Sequence, residues 1–185
     1  MTHFEYISVA VSLIYSLALA KLLGGLPAAL QPGKRYWVHS LWIFSLLSVT
    51  IASWWHIWWY RDAIWNPTRF LALLFIPSII YLRAAILLSN QPHSVSSWRT
   101  HYYNVRRPFF LLQVLGMCNY IAAPWVIIGV QLTATELIGS AFFTTFAVVA
   151  AFSDRPRLHE ILAVISLIGF ALGIFNIPDA FTSAG

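Results

Sequence analysis

Six apolar stretches, each about 20 residues long, dominate this sequence and limit what it can fold into. They cover residues 4–24, 37–60, 68–89, 108–132, 136–152 and 158–177. A helix needs about 20 apolar residues to cross a bilayer, and backbone amides in lipid must bond within their own segment. The alternation of a barrel strand is absent. The sequence therefore predicts an all-α membrane protein: one domain over residues 1–185, built as a bundle of six transmembrane helices.

The composition supports the same class. Hydrophobic residues make up 59% of the chain and charged residues 9%, against roughly 25% charged residues in soluble domains. The mean hydropathy is +0.73. The net charge of +5 comes from basic residues in short loops, where lipid headgroups account for it. We therefore expect the lipid bilayer as a partner and no binding of nucleic acid.

The charges also predict sidedness. The first, third and fifth loops contain seven basic residues: Lys34, Arg35, Arg99, Arg106, Arg107, Arg155 and Arg157. The opposite side has only Arg61 and Arg69. Basic loops stay in the cytoplasm, so both termini are expected on the extracytoplasmic side. We place the protein in a bacterial inner membrane, with the first stretch retained as a span.

Helix boundaries follow from caps and prolines. Pro67 and Pro108 are expected at the first positions of the third and fourth helices. Thr133 and Glu136 match a capping box that opens the fifth helix. The glycine pair at residues 24 and 25 and the segment Gln31, Pro32 and Gly33 are expected to end the first helix, with residues 26–30 along the membrane interface.

Catalytic signatures are missing from the sequence. It contains no phosphate-binding loop, no HExxH and no GxSxG pattern, so hydrolytic chemistry has no visible machinery. The single cysteine, Cys118, forms no intrachain disulfide and no metal pair. We expect neither enzymatic activity nor a bound cofactor.

Small residues recur at helix-packing intervals. On the first helix they are spaced four apart, and the sixth helix adds a GxxxG pattern. Small side chains let helices approach closely in a membrane, within one chain or between chains. The candidate packing residues are Ser8, Ser12, Ser16, Ala20 and Gly24, together with Gly169 and Gly173.

An aromatic cluster ends the second helix on the predicted outer side. It contains Trp54, Trp55, Trp58 and Trp59. Neighbouring residues of a helix point in different directions, so these side chains cannot all face one ligand. Tryptophan concentrates at membrane interfaces, and we interpret the cluster as an interfacial aromatic belt. An aromatic pocket for a hydrophobic ligand is the alternative.

A few ionisable side chains fall inside the spans, where they mark functional sites by default. Lys21 and Arg83 can reach the headgroups with their long stems, or one of them can pair with Glu160. His39 and His159 lie at the same predicted depth on different helices. That placement makes them candidate axial ligands of a b-type haem.

Three functions fit these features. The first is a non-enzymatic membrane component that associates through its helices, with itself as a homo-oligomer or with a membrane-protein partner. The second is a small permease or channel whose path is lined by Ser45, Ser48, Asn119 or Asn176. The third is a haem-bearing electron-transfer subunit. An acidic residue at the membrane midplane is absent, which argues against a proton-driven carrier.

Overall fold

The computed structural model describes the backbone of residues 2–175 and the side chains of residues 2–169. Six helices, and no strands, occur in that part of the chain. They are α1 (His3–Ala29), α2 (Trp37–His56), α3 (Pro67–Leu87), α4 (Trp98–Ile128), α5 (Ala134–Phe152) and α6 (Pro156–Phe175). Short 3-10 turns follow α2 at Ile57–Tyr60 and precede α4 at Pro92–Ser94.

Five of these helices, α1 to α5, are long and apolar enough to cross a membrane. The all-helical fold is therefore confirmed for the described residues, and the five apolar helices agree with a multi-pass membrane protein. The predicted sixth span matches α6 in position. Its end at residue 177 lies outside the described residues, so the count of six spans stays a prediction.

The caps of α3 and α5 confirm two boundary predictions. Asn66 caps α3 by accepting a hydrogen bond from the Arg69 amide at 3.0 Å, and Pro67 takes the first helical position. At the start of α5, the Thr133 hydroxyl accepts from the Glu136 amide, and the Glu136 carboxylate accepts from the Thr133 amide at 2.8 Å. Both caps satisfy amides that have no partner within the helix.

The start of α4 differs from the prediction. The helix begins at Trp98, ten residues before Pro108, which lies inside it. Ser97 caps this earlier start by accepting from the Thr100 amide. Trp98 and Tyr102 are fully buried against the bundle. Residues 98–107 include several polar side chains, which indicated a loop. The burial of Trp98 and Tyr102 instead favours a helix there.

The end of α1 also differs, because the helix continues past the glycine pair to Ala29. Gly25 is buried against Leu88, the residue that follows α3. A Cβ built on Gly25 would lie 2.7 Å from the Leu88 Cδ1 atom. Gly25 therefore permits close packing of two helices and does not terminate α1.

The helices form a closed arrangement in which α1 packs on α2 and α3, α3 on α4, α4 on α5, and α2 on α6. Aromatic side chains fill the centre. Trp42 of α2 makes edge contacts with Phe109 and Phe110 of α4 and with Phe146 of α5, at centroid distances of 5.0 to 5.9 Å. The interior at this level is occupied by packed rings.

Candidate functional site

The small-residue stripe of α1 lies on the outside of the bundle. Ser16, Ala20 and Gly24 are exposed, whereas Ser8 and Ser12 are half-buried. A Cβ on Gly24 would meet no heavy atom within 4 Å. The opposite face of α1 packs into the core through Ile7, Val11, Tyr15, Ala18, Leu22 and Gly25. Ser16, Ala20 and Gly24 are therefore not used for packing within the described chain.

The small residues of α6 lie in a different environment. Ser166 is buried, and a Cβ on Gly169 would lie 3.0 Å from the Phe143 ring of α5. Gly169 therefore packs within the chain. Gly173 falls beyond the side chains that the structure describes.

The four tryptophans of the predicted belt surround the end of α2 and the turn that follows it. All four are exposed, which agrees with an interfacial position. Two contacts hold this end against α1: the Trp54 indole donates to the Ser12 hydroxyl at 3.0 Å, and Phe4 meets the Trp58 ring edge-on at 5.8 Å. The belt itself stays a prediction.

The structure does not bring Lys21 or Arg83 together with Glu160. The Lys21 ammonium donates to the Ser89 carbonyl at 3.3 Å and to the Asn90 side-chain oxygen at 3.1 Å. Within residues 2–169, neither cation forms an ion pair with Glu160. Lys21 therefore binds the open end of α3, where helix carbonyls attract a cation.

Arg83 is buried between α3 and α4, with 8% of its surface exposed. Its Nη2 donates to the Gln113 side-chain oxygen at 2.8 Å, and the guanidinium lies 4.7 Å from the centre of the Phe109 ring. Its Nε has no hydrogen-bond partner among the described residues. The charge is held by an amide and an aromatic face, with no carboxylate in contact in that part of the chain.

The two candidate haem ligands make separate protein contacts. The Nε2 of His39 meets the Leu87 carbonyl at 2.9 Å, and its ring stacks on Trp98 at 4.6 Å. The Nε2 of His159 meets the Ser153 carbonyl at 2.9 Å. Because a carbonyl only accepts, both Nε2 atoms carry a hydrogen. The Nδ1 of His159 then accepts from the Tyr102 hydroxyl at 2.8 Å, so neither of its nitrogens is open to iron.

A junction of four helices at the end with the basic loops was not predicted. His101 of α4 also donates to the Leu87 carbonyl, at 3.1 Å, so two imidazoles share the last carbonyl of α3. The Trp98 indole donates to the Ala28 carbonyl near the end of α1, at 2.8 Å. The sequence could have indicated this contact, because histidines lie near predicted helix ends. The last carbonyls of a helix lack partners within the helix, and a histidine side chain can bind them.

A second unpredicted contact holds the turn between α5 and α6 against α4. Arg106 forms an ion pair with Asp154, and its guanidinium lies 5.8 Å from the Tyr103 ring centre. The hydrogen bond between Tyr102 and His159 lies alongside. These contacts fix the start of α6.

Three of the four residues proposed to line a permeation path lie among the described side chains. Ser45 is buried, the Ser48 hydroxyl donates to the Phe44 carbonyl, and the Asn119 amide reaches the Ala72 carbonyl at 3.5 Å. Asn176 lies outside the described residues. Among the residues searched, no group of three or more His, Cys, Asp and Glu could hold a metal ion.

A surface groove of about 420 Å³ lies at the end with the basic loops. It is lined by Leu30, Arg35, Tyr36, Trp37, Ser40 and Leu41. The Tyr36 hydroxyl is 3.4 Å from that of Tyr103, and the Arg99 guanidinium lies 6.0 Å from the Tyr36 ring centre. Burial raises the pKa of the Tyr36 phenol above its usual value, and the Tyr103 hydroxyl raises it further.

No protein-family model matches this chain, and comparisons with curated proteins and with solved structures found no match.

Proposed function

We propose that the chain is a six-span protein of a bacterial inner membrane, with both termini on the extracytoplasmic side. We further propose that it is a non-enzymatic component that works by helix–helix association, with a second copy or with another membrane protein. The association surface is the exposed part of α1 that carries Ser16, Ala20 and Gly24.

One observation carries this proposal: three small residues of α1, Ser16, Ala20 and Gly24, face away from the bundle. In lipid, association depends on close packing, because lipid tails are as apolar as leucine side chains. A run of small side chains on an exposed face favours the approach of another helix. Large neighbours flank the run, since Leu13, Leu17 and Leu23 are also exposed. The leucines form ridges and the small residues form a groove between them, a surface on which the ridge of another helix can pack.

The interior favours association over permeation. Trp42 and the phenylalanines around it occupy the centre of the bundle, and Arg83 is enclosed by Gln113 and Phe109. A path for solutes would need polar groups that face an open space. Several of the described polar side chains instead donate to backbone carbonyls or to one another, as those of Ser48, Thr50 and Arg83 do.

Site-specific photocrosslinking in the native membrane tests the surface. We place a photoreactive amino acid at Ala20, and in a control variant at Ala141, an exposed alanine of α5. Adducts with a second copy or with another membrane protein at position 20, and only lipid adducts at position 141, would support the proposal. Lipid adducts alone at both positions would contradict it.

A substitution at Ala20 tests whether a partner helix packs closely on this surface or only lies near it. We expect Ala20→Leu to lower the yield of the protein adduct by about tenfold, because overpacking an interface costs about 1–3 kcal/mol. For this experiment the crosslinker is placed at Ser16. Ala141→Leu is the matched control and should leave the yield unchanged. Ser12 and Gly169 are unsuitable positions, since both make contacts within the chain.

A further inference from the structure

The groove near the start of α2 combines polar and apolar lining. Arg35 lies in the first loop and is exposed, and its side chain forms no ion pair within residues 2–169. Leu30 and Leu41 provide an apolar wall next to it. The groove has a volume of about 420 Å³ and is open along its length to the surroundings of the protein. The groove therefore suits a ligand with a charged head and an apolar body.

The electrostatics around the groove favour an anion. Arg35 lines it, and Arg99 lies against the Tyr36 ring at one side. The first turn of α2 contains no acidic residue, and its N-cap residue Tyr36 provides no side-chain acceptor for the amides there. The positive end of the α2 dipole adds to the two guanidinium charges. Tyr36 stays protonated at neutral pH and can donate a hydrogen bond.

The position of the groove favours a lipid over a soluble anion. It opens where a predicted cytoplasmic loop meets the apolar surface of a spanning helix. A free phosphate would leave Leu30 and Leu41 uncovered, whereas a phospholipid covers them with its acyl chain. Trp37 is 47% exposed at the same level, as is typical of residues at the headgroup boundary.

We propose that this groove is a binding site for an anionic phospholipid, with the phosphate beside Arg35 and an acyl chain against Leu41. The charge complementarity matches the cytoplasmic leaflet, where anionic lipids attract basic segments close to a membrane. This site is separate from the association surface of α1, and its place in the cytoplasmic leaflet rests on the proposed topology.

Native mass spectrometry of the purified full chain tests the proposal. Phosphatidylglycerol or phosphatidylcholine with the same acyl chains is titrated against the protein, and a dissociation constant is measured for the first bound lipid. We expect phosphatidylglycerol to bind several-fold more tightly. Arg35→Gln should weaken its binding about fivefold, since one cation near the surface contributes about that much. Phosphatidylcholine should lose less, because its choline cation offsets the charge of the phosphate. Arg35→Lys should retain most of the affinity.

Arg155→Gln is the matched control, because Arg155 is an exposed arginine of the fifth loop that does not line the groove. Equal losses in the two Gln variants would overturn the site, because the preference would then be a property of the whole basic surface. Equal binding of the two lipids by the wild-type protein would overturn it too. Displacement of the lipid by millimolar glycerol phosphate would assign the groove to a soluble phosphate instead.

Discussion

The contact between Arg83 and Gln113 predicts an unusual asymmetry between two substitutions. Arg83 is a buried cation whose side-chain partners are one amide oxygen at 2.8 Å and one aromatic face at 4.7 Å. Gln113→Leu removes the oxygen and leaves the charge in place. Arg83→Met removes the charge and keeps a stem of similar length. Gln113→Leu therefore leaves a guanidinium N–H without an acceptor. Arg83→Met removes the guanidinium itself, the group with the largest desolvation cost in the site.

The magnitudes follow from this difference. A hydrogen bond to a charged group contributes about 1.5–3 kcal/mol, so Gln113→Leu should lower the free energy of unfolding by about that amount. Arg83→Met removes a desolvated charge but leaves the buried Gln113 oxygen without its donor. These two effects oppose each other, and the free energy of unfolding should change by less than about 1 kcal/mol. In the Arg83→Met background, Gln113→Leu should cost almost nothing. The coupling energy of the cycle is then about 1.5–3 kcal/mol.

Reversible unfolding in mixed micelles, driven by a denaturing detergent and followed by circular dichroism, measures all four proteins. Gln131→Leu is the control for the chemistry of the substitution, since Gln131 is exposed in the turn before α5. The reasoning is refuted if Gln113→Leu costs the same in both backgrounds. It is also refuted if Arg83→Met is the more destabilising single substitution, because Arg83 would then stabilise the fold.

Two further predictions concern packing and topology. Gly25→Ala should lower the free energy of unfolding by about 1–3 kcal/mol, because the new methyl group enters a filled contact. Gly24→Ala should leave that free energy unchanged or raise it by up to about 1 kcal/mol, because the site is open and alanine is the better helix former. Thermal unfolding of both variants checks this. Single cysteines at Asp62 and Ser94, in the variant without Cys118, should be labelled by an impermeant thiol reagent from opposite sides of the membrane. Labelling from the same side would contradict the proposed topology.

The existence of the helices was predictable, because each apolar stretch has the length that a bilayer requires. The boundaries were harder. Pro108 was placed at a helix start, but ten residues before it also form helix, since Trp98 and Tyr102 are buried by other helices. That burial depends on tertiary contacts, which no local pattern contains. Gly25 was misread for the same reason: the Leu88 side chain that it accommodates lies 63 residues further along the chain.

The sequence indicated which residues could form the candidate site, but not which of them are exposed or in contact. The stripe from Ser8 to Gly24 follows from its spacing, but the sequence does not state which side of α1 packs inward. The structure separates the exposed part of the stripe from Gly169, which packs within the chain. The histidines illustrate the same limit. His39 was paired with His159 by depth, yet it shares a carbonyl with His101, which lies between the third and fourth predicted spans.

The hydrogen bonds at the end with the basic loops hold α1, and with it the proposed association surface, in a fixed position. Trp98 joins α4 to α1, Lys21 joins α1 to the end of α3, and two histidines join α2 and α4 to Leu87. Hydrogen bonds between helices are retained in lipid because little water is present to compete for them. Their concentration at one end fixes α1 relative to α3 and α4. A partner helix would then meet a preformed surface, and association would not have to offset the entropy of ordering α1.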